Sequence, residues 1–386
     1  VKTCDAIVIG AGSVGLPAAY FLAEKGLSVV VLEARASPGQ GQNKAAIGGV
    51  RATHSDPAKI QLGQQSLEIF SRWEEEHGFD IGWKTGGYCF PVYTEELEET
   101  LRRLLRAQKS FDLDIDWVDP ETIAELIPGI EKHGLRGGTY SPGDGQASPL
   151  LSAEGFRRAT VELGGEFRFE EPVVGITVEG GRITEVTTTK ERYSAPLVLN
   201  AAGGRARQVG ELCGLEVPVT PDSHEAGISA PVAPFLDPLV VDMRPGPEGK
   251  TANFYFGQNR EGQIIFCYTP IEPIIGEDRR STSEFLPVVG QRLVRLVPRL
   301  KNLLIRRIWR GLYPMTPDGV PIMDEVREIE GLYLAVGMCG QGYMLGPGVG
   351  LNMASLMVEG RAEIDPEVFS ALSFYRDFSG GVETLK

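Results

Sequence analysis

Cysteine is scarce and scattered: Cys4, Cys89, Cys213, Cys267 and Cys339 form no CxxC pair. An odd number at wide spacing argues against a disulfide framework and for reduced thiols, as in a cytoplasmic protein. Histidine is scarcer still, with His54, His77, His133 and His224 far apart in the chain. None of these spacings matches a metal-ligand set, so no metal is expected. No apolar run approaches the roughly 20 residues of a membrane helix. Nothing at the start reads as a basic stretch followed by a signal-type apolar segment. Positive charge is in deficit: 38 Lys and Arg face 52 Asp and Glu, a formal net charge of −14. That balance opposes non-specific binding to nucleic acid. It does not oppose a small anionic substrate, because one local arginine can reverse the field inside a pocket.

What is present is apolar bulk and glycine-rich turns. A chain of 386 residues, 42% of them apolar, can bury more than one core and suits two domains. Ala6-Ile7-Val8-Ile9 reads as a buried strand. It runs into Gly10-Ala11-Gly12-Ser13-Val14-Gly15, a GxGxxG loop, and then a helix over Leu16 to Lys25 with Pro17 in its first turn and Gly26 as its stop. Leu27 to Leu32 reads as a second strand, with Glu33 at its carboxyl end. Gly10 permits the tight turn, Gly12 lets a pyrophosphate approach the backbone, and Gly15 lets helix and strand pack closely. The helix N-terminus offers free N–H groups to phosphate, and Glu33 stands near the ~20-residue distance at which an acid accepts from a ribose diol. Strand, loop, helix, strand and acid in register are what a dinucleotide site requires. The motif alone does not separate FAD from NAD.

Segment 37–50 is small, polar and glycine-rich and is expected to lack regular structure. Beyond it, a helix capped by Asp56 and Pro57 carries Ile60, Leu67, Phe70 and Trp73 and ends at Gly78. Further helices are expected from Glu95 to Lys109, from Asp119-Pro120 to Leu126, and from Leu150 to Leu163. Val173 to Val178 and Ile183 to Thr188 read as a hairpin about Gly180-Gly181, followed by a strand Pro196 to Leu199 and the turn Asn200-Ala201-Ala202-Gly203-Gly204. Residues 216–310 read as β-rich, with a helix near 284–297. The end returns to the opening pattern: strand Leu332 to Val336, loop Gly337-Met338-Cys339-Gly340-Gln341-Gly342, and a helix from Pro347 to Val358. Nucleotide-binding elements therefore lie at both ends and in the middle. The expected organisation is one discontinuous dinucleotide domain (1–82, 145–215, 315–386) with a second domain (83–144, 216–314) inserted twice.

These residues resemble the D-amino-acid-oxidase-type FAD-dependent oxidoreductases, nearest to sarcosine oxidase β-subunits and the β-subunit of dye-linked L-proline dehydrogenase. The resemblance rests on the GxGxxG start, Val198-Leu199-Asn200-Ala201-Ala202-Gly203, Thr316-Pro317-Asp318 with Pro321, and the segment from Gly337 through Gly342-Tyr343-Met344 to Pro347 and Gly350. It covers nearly the whole chain. It implies a mixed α/β and α+β fold: a Rossmann-like FAD-binding domain of the glutathione-reductase type with an inserted antiparallel-sheet substrate domain. It implies FAD contacts at Gly10, Gly12, Ser13, Val14 and Gly15, and at Glu33, Ala34 and Arg35. Further contacts are implied at Gly41, Gln42, Lys44, Gly48 and Gly49, at Val174, and at Ala201, Ala202 and Gly203. At the far end they fall on Gly337, Gly340, Gln341, Gly342, Tyr343 and Met344. The last of these loops and its helix would stabilise negative charge on the reduced flavin.

The implied reaction is hydride transfer from the C–N carbon of a small amino or imino acid (L-proline, sarcosine or glycine-like) to flavin N5. Arg51 matches the position where sarcosine oxidases grip the substrate carboxylate; its plain alternative is a surface arginine ahead of the Asp56 cap. His224 and Tyr255 match flavin-facing positions of proline dehydrogenase β-subunits, and each could equally be structural. Tyr313, in Leu312-Tyr313-Pro314, replaces the arginine of glycine and D-amino-acid oxidases, which increases the weight on Arg51. Gln341 stands where many relatives have histidine. Gly311 matches the cysteine that holds flavin covalently in monomeric sarcosine oxidases, so FAD is expected to be non-covalent. Cys339 reads as a small residue beside the flavin. The resemblance leaves room for a partner subunit or an electron carrier. Two other readings keep the fold: a 2-hydroxy-acid or polyol-phosphate dehydrogenase, which would need an additional base or a cationic cluster, and a flavin-bearing electron-transfer subunit.

Overall fold

Alternation along very short strands divides the interior of the first half of the fold. In a computed structural model of the protein, which describes residues 1–380, six strands form one sheet. Residues 381–386, the tail of the expected 315–386 segment, lie outside the described residues. The strand order is Glu166–Arg168, Val29–Leu32, Ala6–Ile9, Leu197–Asn200, Leu332–Val336 and Ile322–Glu325, and only the last pairing is antiparallel. Ala6, Val8, Val29, Val31, Leu199 and Ala335 face a core shared with the helices Gly15–Glu24, Pro57–His77, Pro149–Glu162 and Gly342–Glu359. Ile7, Ile9, Val30, Leu32, Val198 and Leu334 face the opposite core, closed by the strands Val173–Glu179, Arg182–Thr188 and Arg192–Ser194. Covered on both faces, Ala6–Ile9, Val29–Leu32 and Leu332–Val336 read as continuous apolar runs instead of alternating. Each buried Val, Leu or Ile among them contributes roughly 1.5–3 kcal/mol by leaving water.

The second sheet has eight strands in the order Ile305–Met315, Thr220–Pro231, Gln263–Pro270, Thr251–Gln258, Leu239–Asp242, Tyr88–Val92, Gly137–Ser141 and Asp116–Val118. All neighbours are antiparallel except Leu239–Asp242 with Tyr88–Val92. The helices Pro120–Leu126 and Phe285–Leu296 cover one face. This sheet draws its strands from 88–141 and 220–315, so the chain leaves the first sheet twice to build it.

Local signals place many boundaries. Asp56 accepts from the Lys59 N–H, Pro57 opens its helix, and Gly78 closes it at φ 63°. Gly180 and Gly181 both take positive φ, as a type I′ hairpin turn needs. Segment 37–50, expected to be irregular, contains a 3₁₀ turn at Asn43–Ala45 and the short strand Gly49–Val50. The last long helix begins at Gly342, not at Pro347, which lies inside it. Proline there removes one helical hydrogen bond, and close packing offsets the loss. A Cβ at Gly346, Gly348 or Gly350 would stand 2.0, 2.3 or 2.6 Å from backbone atoms of Ser13, Leu62 and Ala18. The helix thus lies directly on two others. Asp318 accepts from Arg376 Nε and Nη2 at 2.7 and 3.0 Å, and Arg376 also donates to the carbonyls of Val320 and Pro321. Burial opposes ionisation of Asp318, but the Arg376 guanidinium, the Val320 N–H and the Thr316 hydroxyl together hold the carboxyl below its ordinary pKa.

Candidate active site

A cavity of about 660 Å³ runs between the two sheets. At one end is the loop after Ala6–Ile9. Gly10 has φ 108°, and a Cβ there would meet the Ala201 carbonyl oxygen at 2.7 Å. Only glycine suits a turn that is both left-handed and pressed on neighbouring backbone. A Cβ at Gly12 would have nothing within 4 Å and would enter the open cavity, whereas one at Gly15 would meet the Gly10 oxygen at 1.9 Å. Glu33, buried, accepts from the N–H groups of Ala11 and Arg35, each at 2.8 Å. Asn43 ties this end together, accepting from Ser13 Oγ at 2.8 Å and donating to the Pro149 carbonyl at 2.7 Å.

At the middle, the Gly337–Gly342 loop enters the helix Gly342–Glu359, and Gly337 through Met344 line the cavity. Cys339 sits at φ 50°, unusual for a residue with a side chain. Its thiol is held by the Gly337 carbonyl at 3.0 Å and by Thr316 Oγ1 at 3.3 Å. A Cβ at Gly340 would strike the Tyr313 ring at 2.4 Å. Tyr343 exchanges a hydrogen bond with Ser152 at 2.9 Å. Gln42 crosses from the first sheet to the second, its Oε1 accepting from Leu312 N at 2.9 Å. Gly311 lines the cavity, and a Cβ there would stand 2.6 Å from that of Ala45.

The far end is built mainly by the second sheet. Arg51 is buried, not a surface residue, and lines the cavity. Its Nη1 donates to the Thr53 carbonyl, and its guanidinium lies 5.9 and 5.8 Å from the ring centres of Tyr88 and Phe90. Asp144 does not line the cavity; wholly buried, it accepts from Ala52 N at 3.1 Å and Thr53 Oγ1 at 3.3 Å. Burial pushes its carboxyl up to about 7, against the Ala52 N–H, the Arg51 charge and the Ser141 and Thr53 hydroxyls.

Pairing of Thr220–Pro231 with Ile305–Met315 sets Asp222 opposite Tyr313 and His224 opposite Gly311. His224 Nε2 lies 3.1 Å from Asp222 Oδ2, and its ring stacks on Tyr313 with centres 3.8 Å apart and planes 16° apart. Tyr313 and Tyr255 share a hydroxyl hydrogen bond of 2.7 Å. Burial raises both phenols well above the ordinary value. Cys267, paired across the sheet with Tyr255, is pushed up to about 12 by burial and donates to the Glu225 carbonyl at 3.0 Å. Both phenols and this thiol are therefore neutral near pH 7.

The cavity thus brings together Arg51, His224, Tyr255 and Tyr313 with Gly10, Gly12, Ser13, Val14, Glu33, Ala34, Arg35, Gly41, Gln42, Gly48, Gly49 and Ala201–Gly203. Three expected contacts do not line it. Gly15 packs on Gly10 behind the loop. Lys44 turns to Gln40 Oε1 at 3.3 Å. Val174 is 49% exposed, and its neighbour Val173 lines the cavity instead, because alternate strand residues face opposite sides. Asn43, Asp144, Asp222 and Cys267 escaped the sequence reading. Tyr88 and Phe90 carried a usable signal, being i and i+2 on one strand.

A family model described as FAD dependent oxidoreductase, DAO, matches residues 5–356. The chain belongs to this family. This FAD-dependent oxidoreductase is similar to the L-proline dehydrogenase of P. horikoshii, a solved structure with a TM-score of 0.92 and 30% identity over 99% of each chain. It is 25% identical to sarcosine oxidase subunit beta of Rhizobium meliloti, over 97% of this chain and 89% of that one. It is 24% identical to human mitochondrial dimethylglycine dehydrogenase over 94% of this chain, but that match spans 43% of the relative. The chain covers less than half the length of such mitochondrial relatives.

The residues fit FAD. Open space over Gly12, the helix N-terminus behind it and the buried Glu33 suit a pyrophosphate and a ribose. The helix beginning at Gly342 aims backbone donors into the middle of the same cavity. Among the described residues, no group of His, Cys, Asp and Glu could hold a metal ion, and no helix is long and apolar enough to cross a membrane.

Proposed function

We propose that this flavoprotein oxidises the C–N bond of a small amino or imino acid of the L-proline, sarcosine or glycine type. The observation that carries the reading is a buried guanidinium, Arg51, lining the same cavity as the dinucleotide loop. A planar donor pair on a carboxylate fixes both the position and the rotation of a small substrate. Tyr88 and Phe90 flank the guanidinium and keep its surroundings dry, which strengthens its hold on an anion.

When bound, FAD supplies the acceptor for the hydride and its two electrons. The chain supplies position and field. Tyr255 and Tyr313 stay protonated at neutral pH, so they act as hydrogen-bond donors and not as bases. His224, fixed by Asp222 and by stacking on Tyr313, is the side chain suited to tune protonation of the substrate nitrogen. The backbone donors about Gly342 favour negative charge in the middle of the cavity. A 2-hydroxy acid would need a base for its hydroxyl proton; the two neutral phenols do not provide one, which leaves His224 with Asp222 as the group that such a reaction would have to use.

The division into a cofactor unit (1–82, 145–215, 315–386) and a substrate unit (83–144, 216–314) belongs to this reading and is supported by sheet membership. A partner subunit or a carrier as final electron acceptor is supported by relatives named as β-subunits. The five free thiols suit a reducing, cytoplasmic setting.

Anaerobic addition of L-proline, sarcosine or glycine should bleach the flavin band near ~450 nm. A yellow protein bleached by none of them, but by a 2-hydroxy acid, would overturn the reading. FAD is held without a covalent bond, since Gly311 offers no attachment atom and a Cβ there would crowd Ala45. Acid precipitation should therefore release all the yellow colour into the supernatant, and colour retained in the pellet would contradict this.

A further inference from the structure

Two opposite charges are buried one behind the other at the substrate end. Arg51 lines the cavity; Asp144 lies behind it, out of reach of any ligand. The Asp144 carboxylate accepts from the two residues that directly follow Arg51, Ala52 N at 3.1 Å and Thr53 Oγ1 at 3.3 Å. The other groups facing it are the Tyr88 phenol, which feels both Arg51 and Asp144, the Tyr140 phenol and the Ser141 hydroxyl. Lys84 on the adjoining strand is engaged elsewhere, with Asp237 at 3.1 Å. Arg51 is the cation whose charge acts on Asp144.

This arrangement has an electrostatic consequence. With Asp144 ionised, the buried pair is neutral and Arg51 offers a ligand anion little net field. A second carboxylate docking on the cavity side of Arg51 would put two anions on one guanidinium inside a dry site, which burial resists. Taking up one proton resolves the conflict. Resting on the carboxylate-clamp reading above, we propose that Asp144 is a positioning residue that gains a proton when the substrate carboxylate docks on Arg51. The pocket therefore admits the carboxylate together with H⁺. Free Asp144 already sits close to the point of protonation at neutral pH, with its carboxyl pushed up to about 7. The bound state holds more protons than the free state, so affinity is full below that pH and falls as pH rises through it.

The test uses the FAD-loaded protein and propionate, an unreactive carboxylate. Binding is followed by calorimetry in buffers of different ionisation enthalpy and by the flavin spectrum. The wild type should take up most of one proton per propionate at about pH 8 and almost none at about pH 5.5, with Kd rising by up to ~10-fold per pH unit above about 7. Asp144→Asn should abolish the uptake and flatten the pH profile. If that variant does not fold, Thr53→Val serves: it removes a donor to the carboxylate and should move the break in the profile to higher pH. Propionate binding that depends on Arg51 but carries no proton overturns the proposal, as does uptake that persists in Asp144→Asn or a break that Thr53→Val does not move. Propionate binding indifferent to Arg51→Ala would sink the clamp reading itself, a separate result.

Discussion

Replacing Arg51 by alanine is expected to weaken binding of a carboxylate substrate by roughly 10²–10³-fold. That is the effect of removing one partner of a buried, hydrogen-bonded charge pair, about 3–4 kcal/mol. Arg51 is 6% exposed and sits beside the neighbouring rings of Tyr88 and Phe90, so its removal leaves a docked carboxylate without a counter-charge and with little water to solvate it. A neutral analogue separates binding from folding damage. Wild type should prefer L-proline to its amide, and Arg51→Ala should lose that preference while binding the amide nearly as before. Arg51→Lys should recover little, because an ammonium lacks the planar donor pair and reaches a different point. Anaerobic titration of the flavin spectrum measures all four combinations. An unchanged preference in Arg51→Ala would remove the carboxylate clamp from the mechanism. A stability cost is also expected in Arg51→Ala, since Asp144 would be left buried without its cation; it should be smaller at low pH, where Asp144 is protonated.

The second large effect separates two glycines three residues apart. Gly12→Val is expected to leave the apoprotein folded but to weaken FAD binding by on the order of 10²-fold or more, at least about 3 kcal/mol. The reason is spatial. A side chain at Gly12 meets no protein atom within 4 Å and projects into the volume that a pyrophosphate must enter. Gly15→Ala does the reverse. Its methyl would stand 1.9 Å from the Gly10 oxygen, inside the packing of helix on strand, and the structure must shift to admit it. Overpacking of that kind costs typically 1–3 kcal/mol. The thermal midpoint of the apoprotein should fall clearly for Gly15→Ala and hardly for Gly12→Val. Flavin content from the absorbance ratio should fall first in Gly12→Val. A yellow, FAD-retaining Gly12→Val protein would place the pyrophosphate elsewhere.

Interactions carried by neighbours in the chain were legible from the amino acids. The GxGxxG loop, its helix and the acid at Glu33 form one local unit, each part with a spacing set by a 3.6-residue turn or a strand of known rise. Capping chemistry located the helix Pro57–His77, because Asp56 and Gly78 satisfy or terminate the backbone within one turn of its ends. That the chain alternates between two sheets was readable from where glycine loops follow apolar strands. The family resemblance added candidates such as Arg51 and His224 that no local pattern singles out.

What depended on contacts between distant segments was decided only by the tertiary structure. Asp144 lies 92 residues from the Ala52 N–H it accepts, so nothing near Arg51 in sequence announces a carboxylate behind it. Asp222, His224, Tyr313 and Tyr255 meet because four neighbouring strands, Ile305–Met315, Thr220–Pro231, Gln263–Pro270 and Thr251–Gln258, pair in one register, and a shift of one residue would turn each side chain to the other face. That same rule moved the cavity contact from Val174 to Val173. The start of the last helix was misplaced because Pro347 reads locally as a first-turn residue, while the packing of Gly346, Gly348 and Gly350 that tolerates it inside the helix is long-range. Local chemistry thus determined the elements and the cofactor loop. Strand register and close helix contact determined which charges and phenols share the cavity, because those interactions join residues that the chain itself keeps far apart.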